Sequence, residues 1–387
     1  KNIWCFYLYL GPKVYLMKFS STLCLLFLFL IQSFILQAQT AADFQSEYEA
    51  AIFKKIQDSV EVSPLEIMIA LDYEEGNEEN IPAQIDALYQ SLEPEKFKQK
   101  KTQKQIKTIF DEIHGRKLKK YIADADFNQL FINGEYNCVS ATALYALILD
   151  RFEIGYEIRE TPTHVYLTAD PDGEKFLIET TLPQGGAVVF DYKTQKEYVE
   201  YLKSNKLISE EEYESTPIEK LFEQYYDTTK VISSTQLAAL LYYNKGVEEY
   251  NSQNYKKAST FLDKAYQIYP STNIHFLTNY ALVFTLAKCE NEKKFDPIAL
   301  AKFANLNKSG TDFATVAVNH FAIASNELMV VHPNVAAFET YFIEFKANID
   351  TSVKMEDYEL IYHSQKAYNY SLKRKYPEAL QALSVSY

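Results

Sequence analysis

A thiol, a histidine and a carboxylate suffice for acyl transfer, and Cys138, His164 and Glu179 occur in that order along the chain. Thiolate rather than thiol is the nucleophile, and a helix amino terminus favours it by placing partial positive charge nearby. Asn137 is a favourable N-cap, so Asn137-Cys138-Val139-Ser140 predicts a helix with Cys138 at its first position and the run Ala141 to Phe152 as its body. A nucleophilic thiol also needs a base, usually histidine, oriented by a carboxylate or an amide. His164 lies in Thr163-His164-Val165-Tyr166 and Glu179 in Ile178-Glu179-Thr180-Thr181. The bland alternative is a core thiol, a satisfied strand histidine and a surface charge, because free cysteine is among the most buried residue types.

Strands must bring these side chains together. After Gly155, short segments rich in aromatic and β-branched residues are separated by Gly/Pro/Asp turns: Tyr156–Glu160, Thr163–Ala169, Lys175–Thr181 and Ala187–Tyr192. Asp170-Pro171-Asp172-Gly173 fits a type I turn between the second and third. A loop of two or four residues sets Glu179 directly opposite His164, whereas a three-residue loop with a bulge at Gly173 sets Thr180 there and turns Glu179 away. A helix followed by an antiparallel sheet, flanked by helical sequence, predicts the α+β class.

Helical patterns dominate on either side. In residues 39–125, Ser63-Pro64-Leu65-Glu66 is a helix start, Asp72 to Asn80 reads as a solvated connection, and Lys96 to Lys107 as the wet face of a helix. Ile106, Phe110 and Ile113 form an apolar stripe that continues towards Tyr121 and Phe127. Residues 126–195 hold the helix and sheet, and 196–235 a helical connector in which Ser209 to Glu212 is a second capping box. In residues 236–387, Gly246, Tyr255, Ala258, Leu262, Ala265 and Pro270 stand at tetratricopeptide-repeat offsets, and Ala367, Tyr376, Ala379 and Leu383 repeat the spacing. That second set breaks off inside its second helix, so more repeat is expected beyond it. The segment 274–350 is helical in pattern but matches no repeat well.

Residues 126–186 resemble the transglutaminase-like core of the papain-like cysteine superfamily. The resemblance is carried by Gly134-Glu135-Tyr136-Asn137-Cys138, by Pro162-Thr163-His164 and by Ile178-Glu179-Thr180-Thr181. Glu179 replaces the family's usual Asp, and Tyr166 stands where a Trp is common. The resemblance implies a papain-like fold and an enzyme that attacks peptide or protein amides, forms a thioester on Cys138 and passes it to water or an amine. It implies an oxyanion site made by the Cys138 backbone N–H, with Asn133 and Asn137 as side-chain candidates. No cofactor is expected, and the tetratricopeptide-like repeats would guide a protein partner. The second implied reading is a non-catalytic binding protein whose core is vestigial.

Composition narrows the remaining choices. Only four cysteines and ten glycines occur in 387 residues, which excludes a disulfide-scaffolded or collagen-like chain. Net charge is −13, so nucleic acid and anionic membrane should be repelled. Met17-Lys18 leads into the apolar run Leu23 to Leu36 and then Gln37-Ala38-Gln39, a secretory signal pattern with cleavage after Ala38. Residues 1–38 are thus taken as upstream sequence plus signal peptide, and export to the periplasm or medium follows. The alternative is an anchor spanning Val14 to Leu36. No other window is expected to cross a membrane. Cys289 sits in the apolar run after Ala281 and reads as a buried structural thiol, with a Cys138–Cys289 disulfide as the minor alternative. His114, His275, His320, His332 and His363 show no metal-ligand spacing, so no metal site is expected.

Overall fold

The computed structural model describes residues 44–161, 164–181, 187–189, 192–204, 208–226, 230–308 and 312–384, and the backbone of strands β1 (Cys5–Tyr9) and β2 (Val14–Lys18). The signal-like run from Leu23 and the site after Ala38 lie outside the described residues.

Helices α1 (Glu47–Gln57), α2 (Pro64–Ala70), α3 (Asn77–Ser91), α4 (Pro94–Phe97) and α5 (Thr102–Arg116) come first. Ser63 and Glu66 close a reciprocal capping box at α2, as their spacing predicts. The acidic stretch is a turn only as far as Gly76, whose φ of +91° sets the start of α3 at Asn77. The lysine-rich stretch is not one helix: it breaks between α4 and α5, although its lysines are exposed as expected. Nor does the apolar stripe of α5 run on as helix. The chain instead forms strand β3 (Lys120–Tyr121), short helix α6 (Gln129–Ile132) and strand β4 (Glu135–Tyr136), which pairs in parallel with β3.

Helix α7 (Cys138–Arg151) is apolar nearly all round, and every residue from Val139 to Ala146 is buried. A helix with no wet face must be central. It packs on an antiparallel sheet of β5 (Tyr156–Glu160), β6 (Val165–Ala169), β7 (Phe176–Ile178), β8 (Ala187–Val189) and β9 (Lys230–Ile232), in the order β8-β7-β6-β5-β9. The mixed architecture is α+β. Strand β9 corrects the sequence reading, which placed residues 230–232 in a purely helical connector; they leave it to pair with β5, Ile158 opposite Ile232.

The connector supplies α8 (Tyr192–Ser204), α9 (Glu210–Ser215) and α10 (Ile218–Tyr226), which close their own small core on Val199, Leu202 and Leu221. Only half of the second capping box forms. Ser209 accepts from the Glu212 N–H, while the Glu212 carboxylate accepts from Tyr225 and Gln224 instead.

Helices α11 (Ser234–Asn251) and α12 (Tyr255–Ile268) pair closely across Gly246. A Cβ there would lie 2.5 Å from Leu262 Cγ, so only glycine fits. Then follow α13 (Thr272–Glu292), α14 (Pro297–Leu306), α15 (Asp312–Asn326) with a π-helical turn at Glu327–Val331, α16 (Val335–Asn348), α17 (Glu356–Leu372) and α18 (Tyr376–Ser384). At α17–α18 the small residues Ala367 and Ala379 are buried, but Tyr376 and Leu383 are open. Contrary to expectation, Phe313–Val331 is long and apolar enough to cross a membrane, with mean hydropathy 1.2. It sets Ala317, Phe321 and Ala324 into the core shared by α13–α17.

A larger core runs from Ile52 and Phe97 through Leu144 and Ile158 to Leu237, Tyr242 and Ile274, joining residues on both sides of positions 125 and 235. Within it, Lys264 of α12 donates to Glu49 of α1 at 2.9 Å, with the side chains 3% and 0% exposed.

Candidate active site

The nucleophile's position is set by its neighbours on the N-terminal side. Gly134 has φ +81°, and a Cβ there would lie 2.9 Å from the Lys117 carbonyl and 2.7 Å from the Lys119 side chain. Glycine therefore lets the chain turn tightly into β4 and enter α7. Asn137 then caps the helix: its Oδ1 accepts from the N–H of Val139 at 3.0 Å and of Ser140 at 2.9 Å, and Ser140 Oγ accepts from the Asn137 N–H at 3.0 Å. Cys138 is the first helical residue, half-buried, as the sequence predicts. The cap takes the N–H groups of the next two residues and leaves that of Cys138 outside it.

His164 immediately precedes β6. Its carbonyl accepts from Thr161 N at 2.8 Å and Thr161 Oγ1 at 3.1 Å, which pins the ring's backbone. Its Nε2 donates to Glu179 at 2.9 and 3.0 Å. The Cys138 thiol is near enough to the ring to help raise its pKa. Glu179 Oε1 accepts in addition from Thr181 N at 3.0 Å and Thr181 Oγ1 at 2.6 Å, so the carboxylate is held from two sides.

The route to this pairing differs from both expected registers. The Asp170 carbonyl accepts from Gly173 N, as a turn there requires, but also from Lys175 N, and Asp170 and Lys175 both have positive φ. The loop is therefore longer than predicted, and Leu167 faces Ile178. Continued upward, this register puts Tyr166 opposite Glu179, so His164 and Glu179 meet diagonally. Diagonal cross-strand neighbours lie within reach of long side chains.

Electrostatics follow from the geometry. Burial disfavours the His164 cation, but Cys138 and Glu179 outweigh it and lift its pKa to about 10. Burial would raise Glu179, but His164 and Thr181 hold it below the usual carboxylate range. The pair is imidazolium and carboxylate at neutral pH.

Two further aromatic residues frame the site. Tyr166 lies offset-stacked on the His164 ring, 6.2 Å between centroids, in the position where the resemblance expects Trp. Tyr121, on β3, packs edge-on against Tyr136 and feels the charges of Cys138 and Glu179; burial first, and those charges after it, raise its phenol. Sequence reasoning missed Tyr121 because it read as part of a helical stripe. His114 stands behind the site, stacked on Phe110, with Nδ1 2.6 Å from Tyr145 Oη; burial lowers its pKa and keeps the ring neutral.

Both side-chain oxyanion candidates have hydrogen-bond partners of their own. The Asn137 amide is fully committed, its Nδ2 donating to the carbonyls of Ala123 at 3.2 Å and Ala125 at 2.9 Å while its oxygen caps α7. Asn133 is exposed and folded back on Glu135, with Oδ1 accepting from Glu135 N at 2.9 Å and Nδ2 donating to its carboxylate at 3.2 Å. The backbone N–H of Cys138 is the donor left at the helix end.

Cys138 and Cys289 are both free thiols, which removes the disulfide alternative. Cys289 is half-buried rather than sealed in a core. It lines a cleft of about 490 Å³ with Tyr255, Lys256 and Thr285, and burial raises its pKa. Among the described residues, no group of three His, Cys, Asp or Glu side chains could hold a metal ion. Compared with known proteins, the chain matches no family model, no curated protein and no solved structure.

Proposed function

We propose that Cys138, His164 and Glu179 form a thiol acyl-transfer site of the transglutaminase-like, papain-like kind, acting on peptide or protein amides. The observation that carries the reading is the His164 ring bound to a doubly anchored Glu179, with Cys138 near enough to help raise the ring's pKa. Glu179 makes the ring strongly basic, so the ring holds the proton drawn from the thiol and the sulfur reacts as a thiolate beside the imidazolium. The sulfur attacks the amide carbon, a C–S bond forms, and the C–N bond breaks as the imidazolium gives its proton to the departing amine. Water or a second amine then attacks the thioester carbon and gives its proton to the ring, the C–S bond breaks, and the thiolate–imidazolium pair is restored as the acyl product leaves. The Cys138 N–H, at the positive end of α7, faces the oxyanion.

The paired helices α11–α12 and α17–α18 are read as tetratricopeptide-like units for a protein partner, supported by the close approach at Gly246. Export rests on the signal-like pattern before Ala38. The second reading, a binding protein without chemistry, is favoured by the exposed aromatic row Phe276, Tyr280 and Phe284 on α13.

Iodoacetamide labelling of Cys138, followed by mass spectrometry from about pH 5 to about pH 8, separates the two. The acyl-transfer reading expects labelling faster than that of a free small-molecule thiol below about pH 7, and a marked slowing in His164→Ala. Labelling at the free-thiol rate, unchanged in His164→Ala, would refute it.

A further inference from the structure

The segment ahead of the nucleophile helix is fastened at three points. Asn137 Nδ2 grips the carbonyls of Ala123 and Ala125. Asn128 Nδ2, a few residues on, donates to the carbonyls of Ile69 at 3.2 Å and Asp72 at 2.7 Å, at the end of α2. Between these two fastenings lies Asp126, only 7% exposed, with Lys245 Nζ of α11 3.6 Å from its Oδ2. Lys245 is itself held by Glu248 Oε2, one turn along the same helix, at 2.9 Å.

The space among Asp126, Asn137, Leu241, Lys245 and Glu248 is about 10 Å³, room for at most a single water, so this cluster is a joint rather than a ligand site. It connects elements that are far apart in sequence. Lys245 belongs to the helical hairpin, and Asn137 is the residue that caps α7 and sets Cys138 at its first position.

We propose that Lys245 is a positioning residue for Cys138: by holding Asp126 it fixes the 122–126 segment on which Asn137 braces the cap of α7. A cation from the helical hairpin thereby sets how firmly the thiol is presented to His164. The inference rests on the acyl-transfer reading only in treating Cys138 as the nucleophile.

The joint is also sensitive to pH. The groups facing Asp126 are Lys245 and Glu248 from α11, Asp72 from the turn after α2, and Asp124 of its own segment. Burial raises the Asp126 carboxyl to about 6; Lys245 opposes this, and Asp72 and Glu248 add to it. Protonation of Asp126 releases Lys245, so the cap loosens on the acid side of neutrality.

The test uses the full chain, with two readouts on wild type, Lys245→Met, Asp126→Asn and Lys245→Arg. The first is the iodoacetamide rate at Cys138 as a function of pH. The second is amide hydrogen exchange at Val139 and Ser140, the N–H groups that Asn137 caps, which requires no reactive thiol. Lys245→Met is expected to lower the rate at pH 7 by about tenfold, the scale of a displaced reacting group, and to speed the exchange. Lys245→Arg is expected to restore both. The wild-type profile should carry an inflection near pH 6 that Asp126→Asn lacks.

Rates, profile and exchange that remain at wild-type values in folded Lys245→Met, or in Asp126→Asn should the first variant not fold, would overturn the proposal. A wild-type Cys138 that labels like a free thiol would remove the acyl-transfer reading, while the exchange data would still decide the joint.

Discussion

Replacing Glu179 with Gln removes one charge and keeps the side chain's shape. A Gln carbonyl at the place of Oε1 can still accept from Thr181 and from His164 Nε2, but its NH2 group then takes the place of Oε2, so the ring loses one of its two acceptor oxygens and its counter-charge. Charges about 4 Å apart attract by about 4 kcal/mol at an effective dielectric of ~20 and by about 1 kcal/mol in water. His164 and Glu179 are 29% and 18% exposed, so a value between these limits applies, about 2 kcal/mol, or about 1.5 pH units. The His164 midpoint should fall from about 10 to about 8.5, Cys138 keeping the rest of the elevation. Imidazole carbon–proton correlation spectra across a pH titration read this directly. Repeating them at about 0.5 M salt should shrink the difference only slightly, since partly buried pairs are poorly screened. Stability carries the same signature. His164, raised in the folded state, contributes fully below its ordinary value of 6.5 and loses the contribution as pH rises through about 10. Glu179, lowered, contributes above its ordinary 4.5 and loses it as pH falls through its folded value. The stability gap between wild type and Glu179→Gln should thus have its full width where both contributions are complete, between 4.5 and 6.5, and narrow as pH rises through about 10 or falls through the folded value of Glu179. A wild-type His164 titrating near 6.5, or a midpoint that moves by less than about half a unit, would refute the reasoning.

Lys264→Met should cost about 3–5 kcal/mol in denaturant unfolding by leaving Glu49 buried and unpaired, and adding Glu49→Leu should recover most of it. Gly246→Ala should cost about 1–3 kcal/mol by overpacking against Leu262, seen as a lower unfolding midpoint. Asn137→Ala should lose at least about 1–2 kcal/mol of cap stabilisation and slow Cys138 alkylation, whereas Asn133→Ala should leave the alkylation rate unchanged.

Local chemistry was legible. Asn137 caps α7, Cys138 begins it, and Tyr156–Glu160 is a strand to the residue, because cap preference and strand composition act over a few neighbouring positions. The meeting of His164 with Glu179 was foreseen, but by another path. The left-handed backbone of Asp170 and Lys175 lengthens the loop, and no residue type at those positions announces it. Strand β9 was missed because three residues carry no periodicity, and it exists only through pairing with β5. Asn137 looked available to an oxyanion because its acceptors, the carbonyls of Ala123 and Ala125, are backbone groups that composition does not reveal. The joint at Asp126 was invisible for the same reason: its cation comes from a helix more than a hundred residues away.

Strand β9 has a consequence for how the molecule can be divided. A fragment cut at residues 126–195 would contain the thiol, the ring and the carboxylate, yet it would lack the strand that covers the edge of β5 and the helices α3, α5 and α11 that pack on α7. Bare strand edges and uncovered apolar helices recruit other chains. The core around α7 draws on residues from α1 to the start of α13, and the last strand of the sheet is synthesised after the whole α8–α10 excursion. On the ribosome the triad cannot settle on a finished sheet until Ile232 has emerged, which places assembly of the candidate site late in the folding of the chain.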